Sequence, residues 1–124
     1  MTIREAIDRV DGLKYNTCTQ SEKIMWLSQL DWDVKKNILD RYANSGHWGF
    51  WGYDENTDQE TQLLVPPPWD QMYLRWLEAQ IDYYNGETER YNVAVLRFRD
   101  TYDDFAANYG RNHMPLMAAR RFLF

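Results

Sequence analysis

The run Trp69-Asp70-Gln71-Met72-Tyr73-Leu74-Arg75-Trp76-Leu77-Glu78-Ala79-Gln80-Ile81-Asp82-Tyr83-Tyr84-Asn85-Gly86-Glu87 carries the fold. Tyr73, Trp76, Leu77, Ile81 and Tyr84 recur at the 3.6-residue period of an amphipathic helix. Leu74, Ala79 and Tyr83 extend apolar character around a second side. A surface helix needs one stripe of roughly 100°, so this helix is either central to the domain or shared with a neighbouring subunit. Pro66-Pro67-Pro68 precedes it, and proline is tolerated in a first helical turn, where a missing donor costs little. Asn85-Gly86 is a stop. Glu87, Glu89 and Arg90 then begin another helix, with acid near its positive end. Its face is Tyr91, Val95, Phe98, Tyr102, Phe105 and Tyr109, and Gly110 marks its expected end. At 1.5 Å per residue that helix is roughly 34 Å long. Two helices joined by so short a turn form an antiparallel αα-hairpin.

Upstream, Thr2 and Glu5 have capping-box spacing. Ile3, Ala6, Ile7 and Val10 share a face, and Gly12 is a natural stop, which predicts a short helix over about residues 2–11. Thr19 and Glu22 repeat the cap and open a longer helix to about Tyr42. Its seam is Ile24, Leu27, Leu30, Val34, Ile38 and Tyr42, widened by Met25, Trp26 and Leu39. Trp32 lies off that seam, at a bend or a contact outside the core. Between the helices the period breaks. Gly46, Gly49 and Gly52 punctuate His47-Trp48-Gly49-Phe50-Trp51-Gly52-Tyr53, the acidic run from Asp54 to Glu60 follows, and Leu63-Leu64-Val65 closes the segment. This pattern predicts a small β-hairpin or ordered loop at 46–65. The expected architecture is mainly α, with about four helices, a C-terminal αα-hairpin and that insertion. Residues 1–110 form one domain, and 111–124 form a C-terminal docking tail.

Composition narrows the function. The chain has 124 residues, 14 Lys+Arg and 19 Asp+Glu, for a net charge of -5; its pI is about 4.9 and its mean hydropathy -0.73. Aromatic residues make up 16%, with six Trp and nine Tyr, too many for a disordered chain, which lacks the means to build a core. No apolar stretch approaches the roughly 20 residues of a transmembrane helix. Glu5, Asp8 and Asp11 fall where a signal peptide needs an apolar run. Nucleic-acid binders are usually basic, and this chain is acidic. Cys18 is the only cysteine, which excludes an internal disulfide or a cysteine metal cage and fits a reducing compartment.

Signatures of catalysis are sparse: the chain has no Gly-x-x-x-x-Gly-Lys, no GxGxxG and no His-Glu-x-x-His. His47 and His113 are far apart, and Cys18 has no base nearby in sequence. Asp54, Asn56, Asp58 and Glu60 alternate as in a calcium loop. The EF-hand template then demands Gly at its sixth position and Glu at its twelfth, where this chain has Gln59 and Val65. A solvated acidic turn is the better reading. Asp103-Asp104 and Glu87/Glu89 lie on polar helix faces without the burial that acid–base work requires. The expectation is therefore no catalytic residues, no metal and no cofactor.

The rings Trp48, Phe50, Trp51 and Tyr53 admit three roles: core packing, anchors for a protein partner, or stacking surfaces for sugars. The tail from Arg111 to Phe124 has three arginines and no acidic side chain. Its end, Arg120-Arg121-Phe122-Leu123-Phe124, gains nothing in water, and a docked tail, on this chain or another, is the economical explanation.

The segment Leu64-Val65-Pro66, Trp69-Asp70, Tyr73, Trp76 through Glu87 and Arg90-Tyr91-Asn92, together with the opening Thr2 to Val10, resembles small proteins from the structural modules of tailed bacteriophages and prophages of Gram-positive hosts, the head–tail connector (adaptor) proteins. The resemblance covers most of the chain and rests on no catalytic motif. It implies a mainly helical virion protein without catalysis, assembled in the host cytoplasm and located at the head–tail interface. Such a protein forms a homo-oligomeric, dodecameric ring beneath the portal protein and meets a tail-side or head-completion protein. DNA passes through its lumen without specific binding, and no membrane is involved. Arg120, Arg121, Phe122, Leu123 and Phe124 would reach into the portal. Trp48, Phe50, Trp51 and Tyr53 would face a neighbour, the tail or the lumen. The alternative is an aromatic-rich carbohydrate or host-surface binding module.

Overall fold

The computed structural model describes residues 1–42 and 50–112. Four α-helices carry it: α1 (Ile3–Leu13), α2 (Gln20–Asn37), α3 (Gln71–Tyr84) and α4 (Thr88–Asn112). The mainly α expectation holds, and no strand occurs among the described residues.

Both N-caps form as their sequences dictate. Thr2 Oγ1 accepts the Glu5 amide at 3.1 Å, and Thr19 Oγ1 accepts the Glu22 amide at 3.1 Å. Each satisfies a donor that the first helical turn leaves orphaned. The Glu5 carboxylate takes the Thr2 hydroxyl at 3.4 Å. α1 buries the expected Ile3, Ala6, Ile7 and Val10.

Three ends differ from the sequence pattern. Gly12 lies inside α1, which closes at Lys14 with its amide on Val10 O. α2 stops at Asn37, and a single 3-10 turn, Leu39–Arg41, continues the chain. Ile38 and Leu39 are both buried at this junction. Gly110 does not end α4. The helix runs through it, and the absent side chain gives room to the Tyr42 phenol, whose oxygen lies 2.8 Å from where a Cβ would stand.

α3 is the central helix. It packs against α1, α2 and most extensively α4, and it buries Met72, Tyr73, Leu74, Leu77, Glu78, Ala79, Ile81 and Asp82. Its broad apolar surface is absorbed within the chain except at its end, where Tyr83 and Tyr84 are exposed. Gly86, at φ +74°, turns the chain into α4 with a backbone that other residues adopt only under strain. The hairpin seam is a ladder of rings: Tyr83 on Tyr91 (5.5 Å between centroids), Trp76 on Phe98 (5.1 Å) and Trp69 on Phe105 (5.7 Å). Each step of seven residues back from the turn, through α3 to Trp69 just before it, meets seven forward along α4, the spacing of a supercoiled pair. The Trp76 indole N–H also donates to Trp26 O at 2.8 Å, tying α3 to α2. Tyr102 OH donates to Asp33 at 2.5 Å, tying α4 to α2.

Residues 50–65 form the ordered-loop alternative of the expected insertion; positions 46–49 lie outside the described residues. One isolated bridge, Thr2 with Gln62, joins the loop to the start of α1. The acidic turn is held from within: Asp54 Oδ1 accepts the Asn56 amide at 2.8 Å, and Asp58 Oδ1 accepts the Glu60 amide at 3.0 Å. Beyond it, Leu63 and Val65 enter the core.

Candidate functional site

The sequence-predicted rings meet the helical body on α2. Ser28 and Trp32, four residues apart, stand on one stripe of that helix. Asp31 beside them points inward and is 0% exposed. The loop is seated on all three. Gly52 adopts φ +88°, and a Cβ there would stand 2.7 Å from Trp32 Nε1 and 2.9 Å from Ser28 Oγ. The Tyr53 amide donates to Ser28 Oγ at 3.0 Å.

Beneath this contact lies a buried hydrogen-bond cluster. Asp31 Oδ2 accepts the Tyr53 hydroxyl at 2.5 Å and the Leu64 amide at 3.2 Å; Oδ1 accepts the Tyr73 hydroxyl at 2.6 Å. The Val65 amide in turn donates to the Tyr73 oxygen at 2.8 Å. One carboxylate thus joins α2, α3 and two points of the loop. Burial pushes the Asp31 pKa up to about 6, although its three donors pull the other way. Both phenols are raised, first by burial and then by the negative charge of Asp31. With both carboxylate oxygens occupied, the cluster holds chain segments together.

The predicted anchors therefore separate. Tyr53 turns inward as the clasp. Phe50 bridges, its ring 5.1 Å from Trp32 and 5.1 Å from Tyr53. Trp51 turns outward and is 83% exposed, beside Trp32 at 40%. Lys35 Nζ lies 6.0 Å from the Trp32 ring centroid and pairs with Asp40 at 2.9 Å. Trp48, Arg120, Arg121, Phe122, Leu123 and Phe124 lie outside the described residues.

The pattern reading missed Asp31, and it placed Tyr73 on the apolar face of its helix without the role of its hydroxyl. A signal existed: Asp31 follows Leu27 by four positions and Ile24 by seven, so a charge falls on the apolar seam. Such a charge is stable only with partners. Trp32 finds its contact outside the core, on Phe50.

A second exposed apolar region lies at the other end of the bundle, around the α3–α4 turn. Leu13, Tyr15, Tyr83 and Tyr84 are all exposed there. Below them Lys14 reaches the buried Asp82 at 2.8 Å, in a hollow of about 330 Å³ shared with Glu78, Arg90 and Arg97. Leu96, on the outer side of α4, is also exposed. Among the described residues no group of His, Cys, Asp and Glu is arranged to hold a metal ion, and no helix is long and apolar enough to cross a membrane. Burial, with Glu22 adding to it, raises the pKa of the Cys18 thiol.

In comparisons with known proteins, no family model, no curated protein and no solved structure matches this chain.

Proposed function

We propose that this protein is a structural assembly component of the head–tail connector (adaptor) kind: a homo-oligomeric ring subunit that sits between a phage portal and the tail, extends the DNA channel and performs no catalysis. The observation that carries the reading is Trp51, displayed at 83% exposure on a segment clasped to the body by part-buried hydrogen bonds. A large ring held out in water loses the burial free energy its area would yield. Rigidly presented tryptophans are characteristic anchors of protein interfaces. The exposed Leu13, Tyr15, Tyr83 and Tyr84 form a different surface at the bundle end. A ring requires two unlike, mutually complementary faces on each subunit, and these two regions are suited to that requirement. The acidic balance suits a conduit whose walls repel phosphate. In this reading the tail at 111–124, with Arg120, Arg121, Phe122, Leu123 and Phe124, docks on the portal.

The test is reconstitution with the portal of the same virus, read by sedimentation and negative-stain microscopy. The expected result is a ring that caps the portal, lost on truncation before Arg120 and weakened at least tenfold by Trp51→Ala. A protein that stays monomeric beside its portal overturns the reading. The same exposed Trp51 also favours the second reading, a carbohydrate or host-surface binding module. Quenching of tryptophan fluorescence by members of a glycan library, abolished by Trp51→Ala, supports that alternative; a flat response across the library removes it.

A further inference from the structure

The loop falls into two parts with different attachment. Residues 59–65 belong to the body: the Ile3 amide donates to Thr61 O at 3.1 Å, the Arg4 amide to Gln59 O at 2.9 Å and the Leu63 amide to Met1 O at 2.9 Å, while Leu63 and Val65 are core residues. Residues 50–58 are seated through side chains. Phe50 leans on Trp32, the Tyr53 amide and hydroxyl reach Ser28 and Asp31, and Ser21 Oγ reaches Glu55 at 3.5 Å. Their backbone bonds turn inward, as in Thr57 N to Asp54 O at 3.1 Å.

We propose that residues 50–58 form an arm clasped by the Tyr53–Asp31 hydrogen bond, and that release of this clasp lifts Phe50 and Trp51 from α2 while the four-helix body stays folded. Chain segments held by few buried contacts open at lower free energy than the core. Tyr53 is the arm's main inward side chain, whereas Tyr73 keeps its hold on Asp31 and Val65 from α3.

The clasp is pH-dependent, with a definite sign. Among the described residues, the titratable groups facing Asp31 are the Tyr53 phenol from the arm and the Tyr73 phenol from α3; the third contact is the Leu64 amide. On α2 itself, Lys35 is engaged with Asp40, and Asp33 takes Tyr102 on the outer side. Burial outweighs all three donors, so the closed arm favours the neutral acid. Opening admits water to Asp31 and restores its preference for the ionised form. The arm therefore closes more tightly in acid and opens more readily as the pH rises through about 6. The opening constant rises as the pH is raised from 4.5 to 7. Control of Trp51 by this arm rests on the assembly reading above; the arm itself does not.

Amide hydrogen exchange of the full chain, resolved by NMR and corrected for intrinsic rates, tests the arm. The Tyr53 amide is expected to exchange at least tenfold faster than those of Leu77 and Ile81 in α3, and its protection should fall from pH 4.5 to 7. In Asp31→Asn that pH step is absent. If the variant does not fold, the wild-type comparison decides. Equal protection at Tyr53 and Ile81 overturns the arm, and a Tyr53 protection that ignores pH overturns its control by Asp31. A normal arm on a protein that ignores its portal overturns the assembly reading alone.

Discussion

Asp31 is a buried carboxylate that, among the described residues, works through two hydroxyls and an amide. Leaving a buried acceptor or donor without its partner costs about 1–3 kcal/mol. Tyr73→Phe strips one donor from Asp31 and the acceptor of the Val65 amide, and is expected to lower unfolding stability by about 2–3 kcal/mol in urea denaturation. The acid's raised pKa fixes the sign of a second effect. The folded protein holds a proton on Asp31 that the unfolded chain has released between about pH 4 and 6, so this group's contribution is greatest below pH 4 and is lost as the pH rises through 6. Over that window wild type should lose about 2–3 kcal/mol relative to Asp31→Asn, seen by comparing urea midpoints at pH 4 and pH 7; an unchanged gap refutes it. At Gly52 the constraint is steric. Gly52→Ala combines a positive φ with a Cβ pressed on Trp32 and Ser28. It should cost about 1–3 kcal/mol and raise the mobility of Phe50 and Trp51 in relaxation measurements.

Among elements, the α3–α4 hairpin was the most legible and the 50–65 loop the least. The hairpin's determinants lie along the chain: apolar residues at helical spacing and Asn85-Gly86 for the turn. The loop's determinants lie across it. The bonds onto Asp31 from Tyr53, Leu64 and Tyr73 bridge 22, 33 and 42 residues, and no periodicity encodes such pairings. For the same reason the rings around Trp51 were visible as a group while their division into clasp, bridge and exposed anchor was not. Gly110 misled because a glycine reads as a stop, whereas here it makes way for Tyr42.

At the scale of the whole molecule, the aromatic content divides by use. Six rings form the hairpin ladder, and Tyr53 and Tyr73 tie the loop to the helices. The surplus facing water is concentrated at Trp51 and around the α3–α4 turn. Trp51→Ala should therefore leave the melting temperature within about 1 °C of wild type, because exposed sites away from special features change stability little. A large fall in melting temperature would mean that Trp51 is structural.

The ring ladder also determines the order in which the chain acquires its shape. Its pairs close loops that widen in equal steps outward from Gly86, so each rung shortens the search for the next. The hairpin can zip from its turn before residues 1–42 arrive, whereas the Asp31 cluster waits for distant segments to meet. Contacts formed early set the folding rate, and those formed late set the unfolding rate. Trimming Trp76 or Phe98 should slow refolding in stopped-flow experiments, while Tyr53→Phe should leave refolding unchanged and hasten unfolding. The aromatic seam is then the folding nucleus, and the loop that carries Trp51 is the last part to lock.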